Sequence, residues 1–166
     1  MEIVLYFTTV VATFFFMEFM AWFTHKYLMH GMMWYFHKDH HQHEEGFFEK
    51  NDVFFLIFAV PSWLCIMLGL MAGNYVVVSI GVGIAVYGLF YFLMHEVFIH
   101  QRFKWFRNTN NAYLLALRKA HKIHHKNIGK EHGEVFGMLI VPSKFYKESK
   151  IAVAKKKAVK KFDVLS

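Results

Sequence analysis

Ten of the twelve histidines in this chain of 166 residues follow a spacing that occurs twice. Each copy has two histidines as H-x4-H, in HKYLMH and HEVFIH, and then three as H-x2-H-H, in HKDHH and HKIHH. Positions i, i+3 and i+4 share one face of a helix, so each triplet can present three imidazoles together. Imidazole binds Zn, Fe, Cu and Ni, and ten ligands are too many for one ion. The pattern therefore predicts a site for two metal ions, with ligands drawn from His25, His30, His37, His40, His41, His95, His100, His121, His124 and His125.

The H-x4-H pairs present a geometric problem, because residues five apart lie about 140° from each other on an ideal α-helix. Either a local kink or different metal ions would resolve it. A surface cluster without function, or a pH sensor, is disfavoured, because ten imidazoles packed without metal would leave many nitrogens unsatisfied. His43 and His132 fall outside the repeated pattern and are left out of the ligand set.

The remaining residue types narrow the chemistry of such a site. The single cysteine, Cys65, lies in an apolar run, which excludes a disulfide framework and a cysteine-based zinc module. HEVFIH is H-E-x3-H, one residue longer than the H-E-x2-H of zinc peptidases, so Glu96 is not placed as their general base. Two redox metals beside apolar helices favour oxygen chemistry on a lipid.

Three apolar blocks, at residues 3–24, 53–72 and 75–94, must position these histidines. Each has about 20 residues, the length that a helix needs to cross a hydrocarbon core ~30 Å thick. A chain this short cannot build a soluble shell around three such helices. Gly73 and Asn74 predict a tight turn between the second and third blocks. The sequence thus predicts an all-α integral membrane protein, a bundle of about three to four spans with a histidine-rich di-metal site.

The charges indicate which parts lie outside the bilayer and on which side. All 19 Lys and Arg fall in residues 25–52 and 95–166, together with every histidine. The positive-inside rule predicts that both segments are cytoplasmic. We expect a membrane domain at 1–142, with cytoplasmic histidine segments 25–52 and 95–142, and a basic cytoplasmic tail at 143–166. The tail is expected to hold anionic headgroups, and nucleic-acid binding is disfavoured because its lysines are not interleaved with aromatic residues.

Glu18 is the only charge within a predicted span, and an ionisable residue in that position is a functional candidate. It lies two helical turns before His25 on the same face. We expect its carboxylate to accept an N–H from a ligand imidazole and so to fix that ring. The alternative is a protonated glutamic acid buried by packing. Asp39 and Glu96, next to ligand histidines, are further candidates for such contacts.

The order of these motifs, together with FEKND, YGLFYFLMHEVFIHQRF and HKIHHKNIGKE, resembles the bacterial β-carotene 3-hydroxylases. These are small carotenoid hydroxylases of the membrane fatty acid hydroxylase superfamily, and the resemblance runs from the first span to about Pro142. It implies a non-haem di-iron monooxygenase that uses O₂ and two electrons to hydroxylate β-ionone rings at C3, giving β-cryptoxanthin and zeaxanthin in carotenoid biosynthesis. It also implies that the ten patterned histidines bind two iron ions, on the cytoplasmic side of a bacterial inner (cytoplasmic) membrane.

The resemblance further implies substrates and partners. The substrates would be β-carotene and related carotenoids, received from membrane lipid. GVGIAV lacks the third glycine of a dinucleotide fingerprint and lies within a span, so NAD(P)H would act through a partner. The implied partners are ferredoxin and its NAD(P)H-dependent ferredoxin reductase. The basic tail is not part of the resemblance, and docking of an acidic ferredoxin is the alternative to its expected contact with headgroups.

Two alternatives stay open at this point. The same di-metal arrangement would also serve a hydroxylase or desaturase that acts on a fatty acyl chain or a sterol. A membrane protein that transports or stores metal is disfavoured, because transport predicts several ionisable residues along the spans and only Glu18 is present.

Overall fold

The computed structural model describes residues 1–42, 46–103, 105, 108–131 and 133–165, with side chains as far as residue 159. His43 and His132 lie outside the described residues. Within the described part the regular structure is entirely helical, as predicted. The elements are α1 (Glu2–Phe23), π1 (Thr24–Met32), α2 (Trp34–His41), a 3₁₀ turn (Lys50–Asp52), α3 (Val53–Met71), α4 (Tyr75–Phe92), π2 (Leu93–Ile99), α5 (Ala112–Lys126) and α6 (Ser143–Leu165).

Three helical stretches are long and apolar enough to cross a membrane: Glu2–Met32, Lys50–Met71 and Tyr75–Ile99. In the most apolar window of these spans only 11, 17 and 22 % of the residues are buried within the protein. Large side chains such as Phe15, Trp63 and Leu89 stand exposed on their outer faces. Apolar surface on this scale is stable only against lipid. The structure thus has the three membrane-capable helices that the sequence predicts. The α-helical part of each, α1, α3 and α4, begins and ends within two residues of the predicted block.

The second and third spans form the predicted helical hairpin around Gly73 and Asn74. Gly73 has a φ of +65°, a conformation that glycine adopts without steric cost. The Asn74 side chain accepts hydrogen bonds from the backbone N–H groups of Val76 and Val77 and so caps α4. The turn returns the chain to the end of the bundle at which α1 finishes.

The helix α4 packs against both α1 and α3, and glycines allow the close approach. A Cβ atom added at Gly83 would lie 2.6 Å from Thr13 Cβ and 2.9 Å from the Val10 carbonyl oxygen of α1. At Gly88, five residues further along α4, an added Cβ would meet nothing within 4 Å. The interface between α1 and α4 therefore depends on the absence of a side chain at Gly83.

We expect Gly83→Ala to lower the free energy of unfolding by about 1–3 kcal/mol, because an added methyl group would force the two helices apart. Gly88→Ala is the matched control and should leave stability nearly unchanged. Unfolding of both variants in detergent micelles, followed by circular dichroism, measures the difference. Equal stability of the two variants would contradict the close-packing account.

The first and third spans end in π-helical turns, which resolve the geometric problem of the H-x4-H pairs. In π1 the Met33 N–H donates to the Leu28 carbonyl, and in π2 the His100 N–H donates to the His95 carbonyl. This i→i+5 bonding brings residues five apart onto one side of the helix. Gly31 has non-helical backbone angles and ends the π1 geometry before α2 begins. The sequence left open either a local kink or different metal ions for each pair, and the structure shows a local distortion of the helix.

The last two helices lie beyond the third span. α5 begins at Ala112, capped by the Asn111 side chain, and carries the last histidine triplet. α6 packs its first turns on α5 through Phe145, whose side chain is buried against Ala116 and Ala120. These contacts join α6 to the helix that carries the last histidine triplet.

Candidate metal centre

The structure brings the ten patterned histidines together at one end of the spans, in two groups of five. Within each group the candidate ligand nitrogens all lie within 4.8 Å of one another. The first histidine group consists of His25, His30, His37, His41 and His124. The second histidine group consists of His40, His95, His100, His121 and His125.

Each H-x4-H pair stays within one group, but the triplets are divided between the two. In HKDHH the outer residues His37 and His41 belong to the first group, while His40 between them belongs to the second. In HKIHH the middle residue, His124, crosses in the same way to the first group. The helices α2 and α5 therefore each serve both groups, which places the two groups side by side. His41 and His125, one from each group, stack with ring centroids 4.5 Å apart.

Most of the imidazoles are buried, and burial favours the neutral form of several of them. The side chains of His37 and His124 are 1 and 0 % exposed. Burial lowers the pKa of His124 to about 3 and that of His41 to about 4, and neighbouring imidazoles act in the same direction. Burial lowers the pKa of His100 to about 3 as well. At neutral pH these rings offer an unprotonated nitrogen, which is the form that binds a metal ion.

Neutral oxygens orient every ring of the first group through its Nδ1 atom. Because a carbonyl oxygen can only accept, each Nδ1 must carry the proton. Four of the acceptors belong to the segment that follows α5. The pairs are His41 with the Asn127 carbonyl (2.9 Å), His30 with Lys130 (3.0 Å), His124 with Glu134 (2.8 Å), His25 with Phe136 (2.9 Å), and His37 with the Asn51 side-chain oxygen (2.7 Å).

This arrangement leaves the Nε2 lone pairs of the first group facing one another. The Nε2 atoms of His30 and His124 lie 3.2 Å apart, and neither carries a proton, since both protons are used at Nδ1. Two lone pairs at that separation repel and cannot form a hydrogen bond. A cation between them would remove the repulsion, so the donor set fits a metal ion with nitrogen ligands.

Carboxylates orient two rings of the second group. His40 Nδ1 donates to Glu49 Oε2 over 2.7 Å, and His95 Nδ1 donates to Glu96 Oε1 over 2.6 Å. The Nε2 atoms of His40 and His95 again lie 3.2 Å apart. Arg102 lies 3.3 Å from Glu96 and 3.8 Å from Glu49, and thereby links the two carboxylates. Burial raises the pKa of Glu49, and the Arg102 guanidinium opposes that effect.

A pocket of about 580 Å³, lined by histidine, charged and apolar side chains, borders the second group. Its lining includes four of the five second-group histidines and only His41 from the first. Glu49, Glu96, Arg102 and Lys122 form its charged wall. The second group therefore faces an opening, whereas the first is enclosed by the segment after α5.

The motif FEKND supplies contacts that the sequence analysis did not assign. Glu49 binds His40 and Asn51 binds His37, as described above, while Asp52 pairs with Arg102 over 3.1 Å. FEKND is one of the motifs that carry the resemblance, so the sequence marked these residues. Their hydrogen-bond partners could be assigned only from the fold. Asp39 does not orient a ring: its Oδ2 accepts the Lys50 N–H over 2.6 Å and holds the 3₁₀ turn.

Glu18 is buried between α1 and α4, but the predicted direct bond to an imidazole is wrong. One oxygen, Oε1, accepts the backbone N–H groups of Met138, Leu139 and Ile140 at 2.9, 2.7 and 3.3 Å. The other accepts the Tyr87 hydroxyl at 2.8 Å. The two turns between Glu18 and the first ligand histidine place the carboxylate too deep in the span to reach an imidazole. Glu18 instead binds residues 138–140, which directly follow the Phe136 carbonyl that accepts a hydrogen bond from His25.

Comparisons with known proteins show the family of the chain. Residues 10–140 match the sequence profile of the fatty acid hydroxylase family. The chain is 41 % identical over 126 residues to a beta-carotene hydroxylase of Pantoea ananas, covering 76 % of this chain and 71 % of that one. It is 36 % identical over 137 residues to the beta-carotene hydroxylase of Paracoccus sp. strain N81106, covering 82 and 84 %. No solved structure matches the chain significantly.

The matched region begins within the first span and ends at Ile140, the last residue whose N–H donates to Glu18. It thus contains both histidine groups and the carbonyl oxygens that orient the first of them. Helical spans and buried histidine groups are the features expected of a membrane hydroxylase. This chain belongs to the fatty acid hydroxylase family and is a hydroxylase, an oxidoreductase with a membrane-embedded helical fold.

Proposed function

We propose that this protein is a β-carotene 3-hydroxylase, a non-haem di-iron monooxygenase. The observation that carries the proposal is the pair of five-histidine groups in a chain similar to beta-carotene hydroxylases over three quarters of its length. The reaction inserts one oxygen atom of O₂ into the C3–H bond of a β-ionone ring. The second oxygen atom leaves as water, which requires two electrons and two protons. Hydroxylation of one ring gives β-cryptoxanthin, and hydroxylation of both gives zeaxanthin.

The ten histidines of the two groups are the proposed iron ligands. Iron bound there would supply the activation of O₂, for which redox-inactive zinc is unsuited. The protein orients each first-group imidazole through its Nδ1–H and keeps water away from His37 and His124 by burial. His43 and His132 have no role in this proposal.

The substrate is proposed to come from the bilayer. A carotene dissolves in hydrocarbon, and both histidine groups lie where the three spans end. A ring can therefore reach the site without crossing water. The charge distribution supports a cytoplasmic site in a bacterial inner membrane, because all Lys and Arg lie in the same segments as the histidines.

The electrons are proposed to come from ferredoxin and its NAD(P)H-dependent reductase. The pocket beside the second group, with its charged wall, gives an approach for a soluble donor. We assign residues 1–142 to the hydroxylase domain and 143–166 to a basic tail. The tail carries eight lysines against two acidic residues, Glu148 and Asp163, which suits contact with anionic headgroups or with an acidic donor.

Expression in a bacterium that accumulates β-carotene tests the proposal. We expect β-cryptoxanthin and then zeaxanthin to appear in extracts analysed by chromatography and mass spectrometry. An empty vector controls for host enzymes. Unchanged β-carotene, from cells in which the protein binds iron and a ferredoxin system is present, would contradict the carotenoid assignment. It would favour a fatty acyl or sterol substrate within the same family.

A further inference from the structure

The two histidine groups differ in the charge of the groups that hold them. Every first-group imidazole donates its Nδ1 proton to a neutral oxygen, four of them backbone carbonyls. In the second group, His40 and His95 donate theirs to the carboxylates of Glu49 and Glu96. These two hydrogen bonds, of 2.7 and 2.6 Å, are charge-assisted because their acceptors are carboxylates.

Such a carboxylate changes the metal ion that the imidazole binds. An anion that accepts the Nδ1 proton increases the basicity of the ring, so the opposite nitrogen donates more electron density to the metal. Its negative charge also favours the more highly charged state of a nearby ion. Both effects stabilise ferric over ferrous iron and therefore lower the reduction potential.

Arg102 also lies beside these carboxylates. Its guanidinium contacts Glu49 and Glu96 and pairs with Asp52. One guanidinium is thus shared among three carboxylates, whereas His40 and His95 each donate directly to a carboxylate of their own. Lys122 lines the pocket beside them, where water screens its charge. In the described part of the chain, no imidazole of the first group hydrogen-bonds to a charged side chain.

We infer that the two iron sites are inequivalent, and that the iron held by the second histidine group has the lower reduction potential because of Glu49 and Glu96. The inference rests on the proposed di-iron function. Glu49 and Glu96 are positioning residues that act through His40 and His95. When the reduced protein is oxidised, the first electron leaves the second-group iron and the next electron leaves the first-group iron.

Redox titration of the full chain in lipid nanodiscs tests this inference. The protein is loaded with ⁵⁷Fe, reduced with dithionite and oxidised stepwise with ferricyanide at pH 8, with Mössbauer spectra taken at each step. The wild type should pass through a half-oxidised state with one ferric and one ferrous iron. Glu49→Gln and Glu96→Gln keep an oxygen acceptor but remove the charge. Each should raise the potential of the first step and shift it more than the second.

Asn51→Asp is the matched control, because it places a carboxylate where His37 of the first group donates its proton. It should lower the potential of the second step and narrow the gap between the two. It also carries the test if a glutamate variant fails to fold. A single oxidation step with identical irons in the wild type would overturn the inference, as would equal shifts of both steps in every variant that folds. Failure of the wild type to bind two irons would instead contradict the proposed function.

Discussion

A His124→Ala variant is expected to form no zeaxanthin in cells that accumulate β-carotene, a loss of more than about 100-fold. His124 is fully buried in the first group, and its Nε2 lies 3.2 Å from that of His30. Alanine removes one of five ligands and leaves the Glu134 carbonyl without its donor. The purified variant should hold about one iron per chain instead of two, because the second group keeps all five imidazoles.

His43→Ala is the control for this experiment, since it removes a histidine that lies outside the repeated pattern. It should leave pigment composition and iron content as in the wild type. Iron analysis separates loss of a ligand from loss of the fold, because an unfolded chain would lose both ions. Zeaxanthin formation at the wild-type level by His124→Ala would contradict the assignment of the first group as an iron site.

The sequence predicted the spans well because length and hydropathy alone determine whether a helix can cross a bilayer. The helix ends at Phe23, Met71 and Phe92 lie within two residues of the predicted ends. The sequence also predicted that the ten histidines lie close together, because their repeated spacing places them on helices that end at the same side of the membrane. The sequence did not predict how the ten histidines divide into two groups of five. His40 and His41 are neighbours in sequence, yet they belong to different groups, because they point to different sides of α2.

The contacts that orient the rings were less accessible to sequence reasoning. The carbonyl oxygens of Lys130, Glu134 and Phe136 lie in an irregular segment. Every residue has a backbone carbonyl, so the residue type does not indicate which carbonyl accepts a hydrogen bond from an imidazole. The π-helical turns were predicted only in part. The five-residue spacing of His25 and His30 indicated a local distortion of the helix but not that it would be a π-helical turn. Glu18 was visible as an isolated charge, but its partners are backbone N–H groups some 120 residues away in sequence.

Glu18 provides the second prediction with a large expected effect. Its Oε1 accepts three consecutive backbone N–H groups of the segment that follows Gly137. A Cβ added at Gly137 would lie 2.9 Å from that oxygen, so glycine leaves the room for the approach. Glu18→Ala would leave three donors and the Tyr87 hydroxyl without an acceptor in an apolar surrounding. Each buried unsatisfied group costs about 1–3 kcal/mol, so the segment would move to find other partners.

Displacement of that segment would release the Phe136 carbonyl from His25 and disturb the first group alone. We therefore expect Glu18→Ala to weaken iron binding at that site by about 10–100-fold, while the second group keeps its ion. Glu18→Gln retains an acceptor oxygen and should restore much of the iron content. Tyr87→Phe removes only the bond to the other oxygen and should resemble the wild type. Iron content after dialysis against a chelator measures each variant. Two retained irons in Glu18→Ala would show that the segment after α5 holds its position without the carboxylate.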